Sequence, residues 1–374
     1  MKIMSYDYLI VGSGLAGAIS ARELTNAGKK CLVIEQREHI GGNCYTENIN
    51  GINVHKYGPH IFHTSNKHVW DYMNKYVTFN HYVNRPKVSY DGKLYSFPIN
   101  LMTLYQIFGV TTPDQAQWWM ERNEIQKIEN PKNLEEWIIS QVGVKIYEMF
   151  VKGYTEKQWG RKCNELPASI IKRLPIRYTF DDNYFTDKYQ GIPIGGYTQI
   201  FDKLLDGIEV KLNTDYFLNK EHFDDIAHNV IYTGPLDKFY DYRFGKLDYR
   251  SLEFKHLELK KQDYQGNAII NFTNKDVPYT RINEHKHFEF TSEAFEKPFT
   301  IVTKEFPTEY VEGENIPYYP INDDKNKETY NKYKSLVSLE KKFIFMGRLA
   351  EYKYYDMHHV VAVTLDKINS LLKI

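Results

Sequence analysis

The sequence has 374 residues, 42% of them hydrophobic, and its 48 basic side chains are balanced by 48 acidic ones. That length allows two or three domains, and the hydrophobic content suffices for a large buried core, so the composition excludes a globally disordered chain. A net charge of zero gives no electrostatic reason to expect nucleic acid or an anionic membrane as the main partner.

The cysteines and the hydrophobic runs indicate the compartment. Cys31, Cys44 and Cys163 form no Cys-x-x-Cys pair, which argues against structural zinc and favours a reducing environment. The N-terminus reaches glycines too early for a signal peptide, and no stretch approaches the roughly 18 apolar residues of a membrane span. We therefore predict a cytoplasmic protein without a membrane span.

The first elements along the chain predict a βαβ unit. An apolar run at 6–11 is followed by the glycine turn GSGLAG, a helical stretch that Gly28 stops, and a second strand that reaches Glu35. Strand, glycine turn, helix, strand and acidic residue is the beginning of a dinucleotide-binding fold. The alternative is a tight turn in an α/β protein that binds no cofactor.

The glycines of this turn have distinct expected tasks. Gly12 allows the tight turn, Gly14 lets backbone amides approach a pyrophosphate, and Gly17 lets the helix pack closely on the strand. The N-terminus of the helix favours the phosphate charges, and Glu35 is placed to accept a ribose hydroxyl. The doublet Gly41-Gly42, soon after the second strand, resembles FAD-containing oxidoreductases, so FAD is favoured over NAD.

The remaining elements predict a discontinuous α/β architecture. Helical patterns fill the middle of the chain, where Thr112-Pro113 begins one helix and a longer one carries Leu134, Ile138 and Phe150 on one face. Tyr-, Phe- and Pro-rich segments around it read as strands. Strand, glycine turn and helix return at the C-terminus, with the helix beginning near Met357.

Three domains follow from this order: a discontinuous Rossmann-like FAD-binding domain, a small helical insertion domain and an antiparallel β-sheet substrate domain. Their predicted ranges are 1–78, 191–245 and 315–374 for the first, 99–172 for the second, and 79–98, 173–190 and 246–314 for the third.

Arginines and tyrosines in separate segments suggest a diphosphate site. Arg binds phosphate in a bidentate manner, and Tyr hydroxyls donate to phosphate oxygens without adding charge. The candidates are Arg173, Arg281, Arg348, Tyr154, Tyr184, Tyr319 and Tyr354. Taken singly, each arginine is more often a surface or ion-pair residue than a phosphate ligand.

The pair His60 and His63 hints at a metal, but no cysteine or acid pair completes a ligand set. We expect no metal, and expect both histidines in a loop that faces a flavin.

The chain resembles the UDP-galactopyranose mutase family over nearly its whole length. The matching motifs include YDYLIVGSGLAGA, HIGGN, HKYGPHIFHT, KGYTEKQWGR, ELPASIIKR, DDNYFTDKYQGIPIGGYT, VPYTRINEHKHF and GRLAEYKYYDMH. The resemblance implies an isomerase that interconverts UDP-galactopyranose and UDP-galactofuranose with reduced FAD and no net redox change. It implies attack of flavin N5 on the anomeric carbon, a flavin–sugar iminium, ring opening and reclosure, and a product used for surface polysaccharide.

The resemblance also assigns roles to residues. It makes Arg173, Arg281, Arg348 and His63 catalytic, with Arg173 on a mobile lid. The implied substrate-binding residues are Tyr154, beneath uracil, together with Trp159, Arg173, Tyr184, Asn271, Arg281, Glu305, Tyr319, Tyr354 and Asp356. The implied FAD-binding residues are Gly12, Ser13, Gly14, Ala16, Gly17, Glu35, Gly41, Gly42, Asn43, His60, Arg348, Asp356 and Met357. A homodimer and an external electron donor, NAD(P)H or a flavin reductase, are implied as partners.

Two positions depart from the family pattern, and two other functions compete with it. Pro59 and Ala16 stand where other residues are expected, which leaves open whether the N-acetylated sugar nucleotide is accepted. An FAD oxidoreductase related to amine oxidases is one rival, but amines need no diphosphate site. A non-catalytic flavin- or nucleotide-binding module is the other, and it needs fewer phosphate-directed groups.

Overall fold

The computed structural model describes residues 4–289 and 293–373. They form two compact units. The first combines the described residues of 1–81, 187–249 and 319–374, and the second combines those of 82–186 and 250–318.

The elements are numbered in chain order. The strands are β1 (Tyr6–Val11), β2 (Cys31–Ile34), β3 (Thr46–Ile49), β4 (Ile52–His55), β5 (Phe62–Thr64), β6 (Lys87–Tyr90), β7 (Lys93–Ser96), β8 (Tyr189–Gly191), β9 (Glu209–Lys211), β10 (Ala227–Tyr232), β11 (Tyr249–Leu259), β12 (Ile269–Phe272), β13 (Arg281–Glu284), β14 (Thr300–Glu309), β15 (Tyr319–Pro320) and β16 (Phe343–Phe345). The helices are α1 (Leu15–Asn26), α2 (Lys67–Asn74), α3 (Leu101–Phe108), α4 (Pro113–Trp119), α5 (Leu134–Ile146), α6 (Gly153–Trp159), α7 (Thr198–Leu204), α8 (Lys220–Asp225), α9 (Leu236–Phe239), α10 (Asp324–Val337) and α11 (Met357–Leu372). Two π-helical segments are Met120–Glu124 and Tyr147–Lys152, and short 3-10 turns are Gly42–Cys44, Cys163–Glu165, Ala168–Ile170, Tyr216–Asn219, His285–Phe288 and Glu293–Glu296.

A parallel sheet with the order β16-β10-β1-β2-β9 forms the centre of the first unit. Its middle strands are almost continuously apolar, and Leu9, Ile10, Leu32 and Val33 are buried, as expected for parallel strands covered on both faces. The predicted β1–α1–β2 unit is confirmed, as is the C-terminal helix that begins at Met357.

The second unit carries a sheet with the order β11-β14-β13-β12-β6-β7 and a helical part. Neighbouring strands are antiparallel, apart from the parallel pair β12 and β6. Helices α3 to α6 surround a hydrophobic core to which Leu134, Ile138 and Phe150 contribute. This unit contains both the predicted helical and the predicted sheet segments, and the boundary between those two remains a prediction.

The long helix expected after Leu134 is interrupted. Gly143 has a left-handed φ of 77° inside α5, and a Cβ there would lie 2.6 Å from the Glu124 carbonyl oxygen. A close backbone approach at this point therefore breaks the helix, and a π-helical segment follows before α6 begins at Gly153. The amphipathic pattern predicted the buried face correctly but not the break.

Within 4–289 and 293–373, no helix combines the length and the apolar character needed to cross a membrane.

Candidate functional site

Two glycine turns of the first unit lie against each other. A Cβ on Gly17 would lie 1.9 Å from the Gly12 carbonyl oxygen, and a Cβ on Gly42 would lie 3.1 Å from the Gly14 Cα. The amide of Gly41 donates to the carbonyl of Ser13 at 3.1 Å. The glycines thus leave little side-chain bulk at the N-terminus of α1. A phosphate there would meet backbone amides and the positive end of the helix.

Glu35 organises this turn from the end of β2. Its carboxylate accepts hydrogen bonds from the Ser13 amide at 2.9 Å and the Ser13 hydroxyl at 2.8 Å, and from the Arg37 amide at 3.0 Å. Arg37 in turn donates to Asn43 at 2.9 Å. The acidic residue expected at a ribose therefore also holds the glycine turn in shape.

Ala16 lies in the first turn of α1, where it is buried. A Cβ on Gly347, the residue before Arg348, would lie 3.2 Å from the Ala16 Cβ. Two segments that are distant in sequence thereby meet, and a small residue at position 16 suits that close approach.

Arg348 sits among groups that are kept neutral. Burial lowers the pKa of His60 to about 4, with the positive charge of Arg348 acting in the same direction. Burial raises the pKa of Cys44 to about 12, although the charges of Arg348 and Arg37 oppose that shift. The Cys44 thiol lies 3.7 Å from the sulfur of Met357. The charge of Arg348 thus lies near two buried, uncharged side chains, those of His60 and Cys44.

The Arg348 guanidinium also lies over an aromatic pair. Its Cζ is 5.0 Å from the centre of the Tyr354 ring, and that ring stacks on Tyr319 at 5.3 Å. Three of the residues predicted for a diphosphate site are therefore brought together in the first unit, although they come from two separate segments.

His63 is oriented by an acidic residue that the sequence analysis did not identify. Its Nδ1 lies 2.6 Å from Asp187, and the Ser65 hydroxyl donates to the other oxygen of that carboxylate at 2.9 Å. The His358 ring is 4.7 Å from the His63 ring, and burial lowers the pKa of His358 to about 4.

Among the residues that the structure describes, two clusters have ligand-type atoms within 4.8 Å of one another: His63, Asp356 and His358, and Asp263, Glu284 and His287. His63 also bonds to Asp187, and His287 lies 3.1 Å from Asp263. We propose no metal for either cluster.

Strand register aligns three predicted residues in the second unit. Arg281 on β13 faces Asn271 on β12 and Glu305 on β14. Directly opposed residues share one face of a sheet. The three side chains therefore form a row, and an arginine stands between an amide and a carboxylate.

Contacts with neighbouring side chains, inside and outside the row, hold Arg281 in place. Its Nη2 donates to the Tyr154 hydroxyl at 2.5 Å, and its Nε lies 3.4 Å from a Glu305 oxygen. Asn283 donates to the other Glu305 oxygen at 2.7 Å. Burial raises the pKa of Glu305, against the opposing effect of Arg281, so desolvation outweighs the attraction of the ion pair.

The other predicted substrate residues of this unit differ in their surroundings. Trp159 and Tyr184 are half-buried and pack against the hydrophobic core of the helical part. Burial raises the pKa of Tyr154. Arg173 lies on an exposed turn after the 3-10 segment Ala168–Ile170, outside the sheet row.

Sequence reasoning missed Asn283 and Asp187. Asn283 could have been found, because it lies two residues from Arg281 and therefore on the same face of a strand. Asp187 depends on pairing between distant segments, and no local pattern signals it.

The fold and the glycine turns define a dinucleotide-binding protein of the Rossmann-like class, and the model of the NAD(P)-binding Rossmann-like domain matches residues 10–76. The model of the UDP-galactopyranose mutase family matches residues 149–354. The chain belongs to the UDP-galactopyranose mutase family, so the predicted enzyme class and fold are confirmed.

Two relatives and one solved structure illustrate the similarity. A "Probable UDP-galactopyranose mutase" from Klebsiella pneumoniae is 42% identical over 98% of this chain and 94% of its own. A "dTDP-fucopyranose mutase" from Escherichia coli is 41% identical over 93% of this chain and 94% of its own. A crystal structure of reduced UDP-galactopyranose mutase has a TM-score of 0.76 at 15% identity and covers 99% of this chain and 94% of its own.

Proposed function

We propose that this protein is an FAD-dependent isomerase that interconverts the pyranose and furanose forms of UDP-galactose without net redox change. The observation that carries the proposal is the row Asn271–Arg281–Glu305 with Tyr154 at its arginine. A positive group held beside an aromatic ring suits a nucleoside diphosphate, whose base stacks and whose phosphates accept hydrogen bonds.

The first unit supports the cofactor part of the proposal. The glycine turns are in close backbone contact, because a Cβ at Gly17 or Gly42 would meet backbone, and this contact places the amides at the N-terminus of α1 where a pyrophosphate would bind. Glu35 would accept a ribose hydroxyl, and the charge of Arg348 would favour an anionic reduced flavin. When bound and reduced, FAD would supply the nucleophile for the anomeric carbon, since no side chain in the predicted set is an activated nucleophile.

The chain's own residues would hold the leaving diphosphate. Arg173, Arg281 and the tyrosine hydroxyls would stabilise the charge that develops as UDP detaches, which is electrostatic catalysis by pre-placed donors. Tyr154 would stack on uracil, and His63, oriented by Asp187, would move or hold a proton. Closure of the segment around Arg173 would exclude water.

The test is turnover of UDP-galactofuranose by purified protein, with and without dithionite, read as the furanose-to-pyranose ratio by chromatography. Conversion mainly under dithionite supports the proposal. Bound FAD with no conversion of this substrate or its N-acetylated form would contradict it, and an oxidoreductase would be favoured only if a dTDP-linked sugar is not converted either.

A second candidate substrate is a dTDP-linked 6-deoxy sugar, because the dTDP-fucopyranose mutase relative is nearly as similar in identity. The same assay with dTDP-fucofuranose separates the two, and the substrate with the higher kcat/KM is the one for which this site is built. A homodimer, an external electron donor such as NAD(P)H or a flavin reductase, a cytoplasmic location and a role in surface polysaccharide belong to the same proposal.

A further inference from the structure

Lys157 is surrounded by backbone carbonyls. Its Nζ donates to the carbonyl oxygens of Phe272, Asn274 and Val277 at 2.9 Å and of Tyr279 at 3.0 Å. All four carbonyls belong to the end of β12 or to the connection from β12 to β13. An ammonium group has three N–H bonds. Four carbonyl oxygens that converge on one point can accept all three, so they suit a compact cation. We call these four oxygens the carbonyl cage.

The same connection touches α6 at a second place. A Cβ on Gly153 would lie 2.1 Å from the Thr273 carbonyl oxygen. The Thr273 hydroxyl donates to the Met149 carbonyl at 2.6 Å, just ahead of the helix. The beginning of α6 is therefore in backbone contact with the connection, and Lys157 fixes it again one turn later.

The far end of α6 is capped. Arg250 is buried and donates to the carbonyls of Gln158 at 3.0 Å and Lys157 at 3.3 Å. It also pairs with Glu309. Arg250 thus fixes the C-terminal end of α6, and Lys157 determines which face of the helix lies toward the connection from β12 to β13.

The contacts of Lys157 join the two elements that carry the Tyr154–Arg281 pair. Tyr154 lies on α6 three residues before Lys157, which places the two side chains on neighbouring parts of one helical face. Asn271 precedes the connection and Arg281 follows it. The ammonium therefore bridges the helix that carries the tyrosine and the strands that carry the amide and the arginine.

We propose that Lys157 is a positioning residue for nucleotide binding, whose ammonium sets the spacing between Tyr154 and the Asn271–Arg281 strand pair. The inference rests on the proposed function for the statement that these residues bind UDP. A neutral side chain of similar length would leave four carbonyls without their donor, so α6 and the connection would move apart to reach water.

The first test compares Lys157→Met with Lys152→Met. Lys152 pairs with exposed Glu148 at 2.8 Å, so its substitution removes one charge from the same stretch without touching the carbonyl cage. UDP affinity is measured by calorimetry on the FAD-loaded protein. We expect Lys157→Met to weaken UDP binding at least about tenfold, the size of one hydrogen bond to a charged group, with KM affected more than kcat and Lys152→Met unchanged. Equal UDP affinity in Lys157→Met and wild type overturns the proposal.

A double-mutant cycle separates positioning from general stability. If Lys157 acts through the Tyr154–Arg281 pair, its effect on UDP affinity falls below about twofold in a Tyr154→Ala background, because contacting partners are not additive. If the two fold-changes in UDP affinity multiply in the double variant, Lys157 stabilises the fold without positioning Tyr154 and Arg281. That outcome contradicts the proposal.

Lys157→Arg covers the case in which the methionine variant does not fold. It keeps the charge, but a planar guanidinium fork does not match acceptors that converge on one point. Several-fold weaker UDP binding supports the proposal, and wild-type affinity overturns it.

If the wild type itself does not bind UDP, the proposed function fails instead. Crystal structures of the wild type and of Lys157→Met or Lys157→Arg then decide the positioning role: loss of the Tyr154–Arg281 hydrogen bond in the variant supports it, and the same hydrogen bond in both structures contradicts it.

Discussion

At the scale of single residues, Arg281 has two tasks that compete for its charge. It lies 3.4 Å from the buried carboxylate of Glu305 and 2.5 Å from the Tyr154 hydroxyl. Removing one partner of a buried ion pair costs about 3–5 kcal/mol, mainly because a charge is left unpaired. Substitution of Arg281 therefore changes stability as well as binding, whereas Arg173 lies on an exposed turn, where a substitution is expected to cost less stability.

Arg173→Ala is expected to lower kcat/KM at least about 100-fold, as for loss of one preorganised donor to a developing negative charge. The melting temperature and the bound flavin should stay as in wild type. Steady-state kinetics and the flavin absorbance check both, and full activity would remove Arg173 from the diphosphate site.

Arg281→Ala is expected to lose most turnover and to unfold at a lower temperature, because Glu305 loses its cation. Arg281→Lys keeps the charge and should recover the stability but not the activity, since an ammonium cannot make the same directed contacts. Kinetics and thermal denaturation of the two variants test this. Equal recovery of both properties by lysine would show that only the charge matters.

Glu305 predicts a pH dependence of stability. Burial raises the pKa of Glu305 in the folded protein above its value in the unfolded chain, so the folded state retains a proton that the unfolded state has lost. The stabilisation is fully present below the ordinary glutamate pKa and is lost as the pH rises through the folded pKa. Urea denaturation from mildly acidic to neutral pH should show the wild-type free energy of unfolding falling relative to Glu305→Gln; a pH-independent difference would contradict the assigned shift.

At the scale of elements, α1 depends on the turn that precedes it. A Cβ on residue 17 would lie only 1.9 Å from the Gly12 carbonyl oxygen. The helix and the turn can therefore meet only if residue 17 has no side chain, and this contact positions the amides at the N-terminus of α1. Such a local requirement leaves a signature in the sequence, which is why β1, α1 and β2 could be predicted from a few residues.

Gly17→Ala is expected to push α1 away from the turn and to lower the amount of FAD that copurifies with the protein. Gly28→Ala is the matched control, because Gly28 has a φ of 78° but no atom near its Cβ position. It should cost about 1–2 kcal/mol of stability from backbone strain and leave the flavin in place. Flavin-to-protein ratios and urea denaturation measure both effects. Unchanged flavin content in Gly17→Ala would count against a phosphate at this turn.

Other elements could not be predicted because their cause lies far away in the sequence. The break at Gly143 results from the carbonyl of Glu124, and a hydrophobic pattern along one helix contains no information about that neighbour. The row Asn271–Arg281–Glu305 depends on the register of three strands. Its members were identified by resemblance, but their alignment was not.

At the scale of the whole molecule, the homodimer remains a prediction from the family resemblance. Large apolar side chains such as Tyr105 and Trp118 are about half exposed on the second unit, at 49% and 53%, and a partner subunit would shield some of this surface. Light scattering should give a mass of about twice 44.3 kDa. A mass that stays at the single-chain value over a range of concentrations would contradict the prediction.

The order of strands in the first unit affects how the protein is made. The central strand β1 is synthesised first, yet its neighbour β10 begins only at Ala227 and the edge strand β16 only at Phe343. At usual translation rates, β1 and β2 wait roughly 10–40 s for β10 to be synthesised. During that time β2 can pair with one edge of β1, but the edge that pairs with β10 in the finished sheet has no native partner, so the nascent chain exposes an aggregation-prone strand on the ribosome. The amount of folded protein obtained in a cell should therefore depend on holdase chaperones. This dependence should be stronger than the stability of the folded protein alone would suggest.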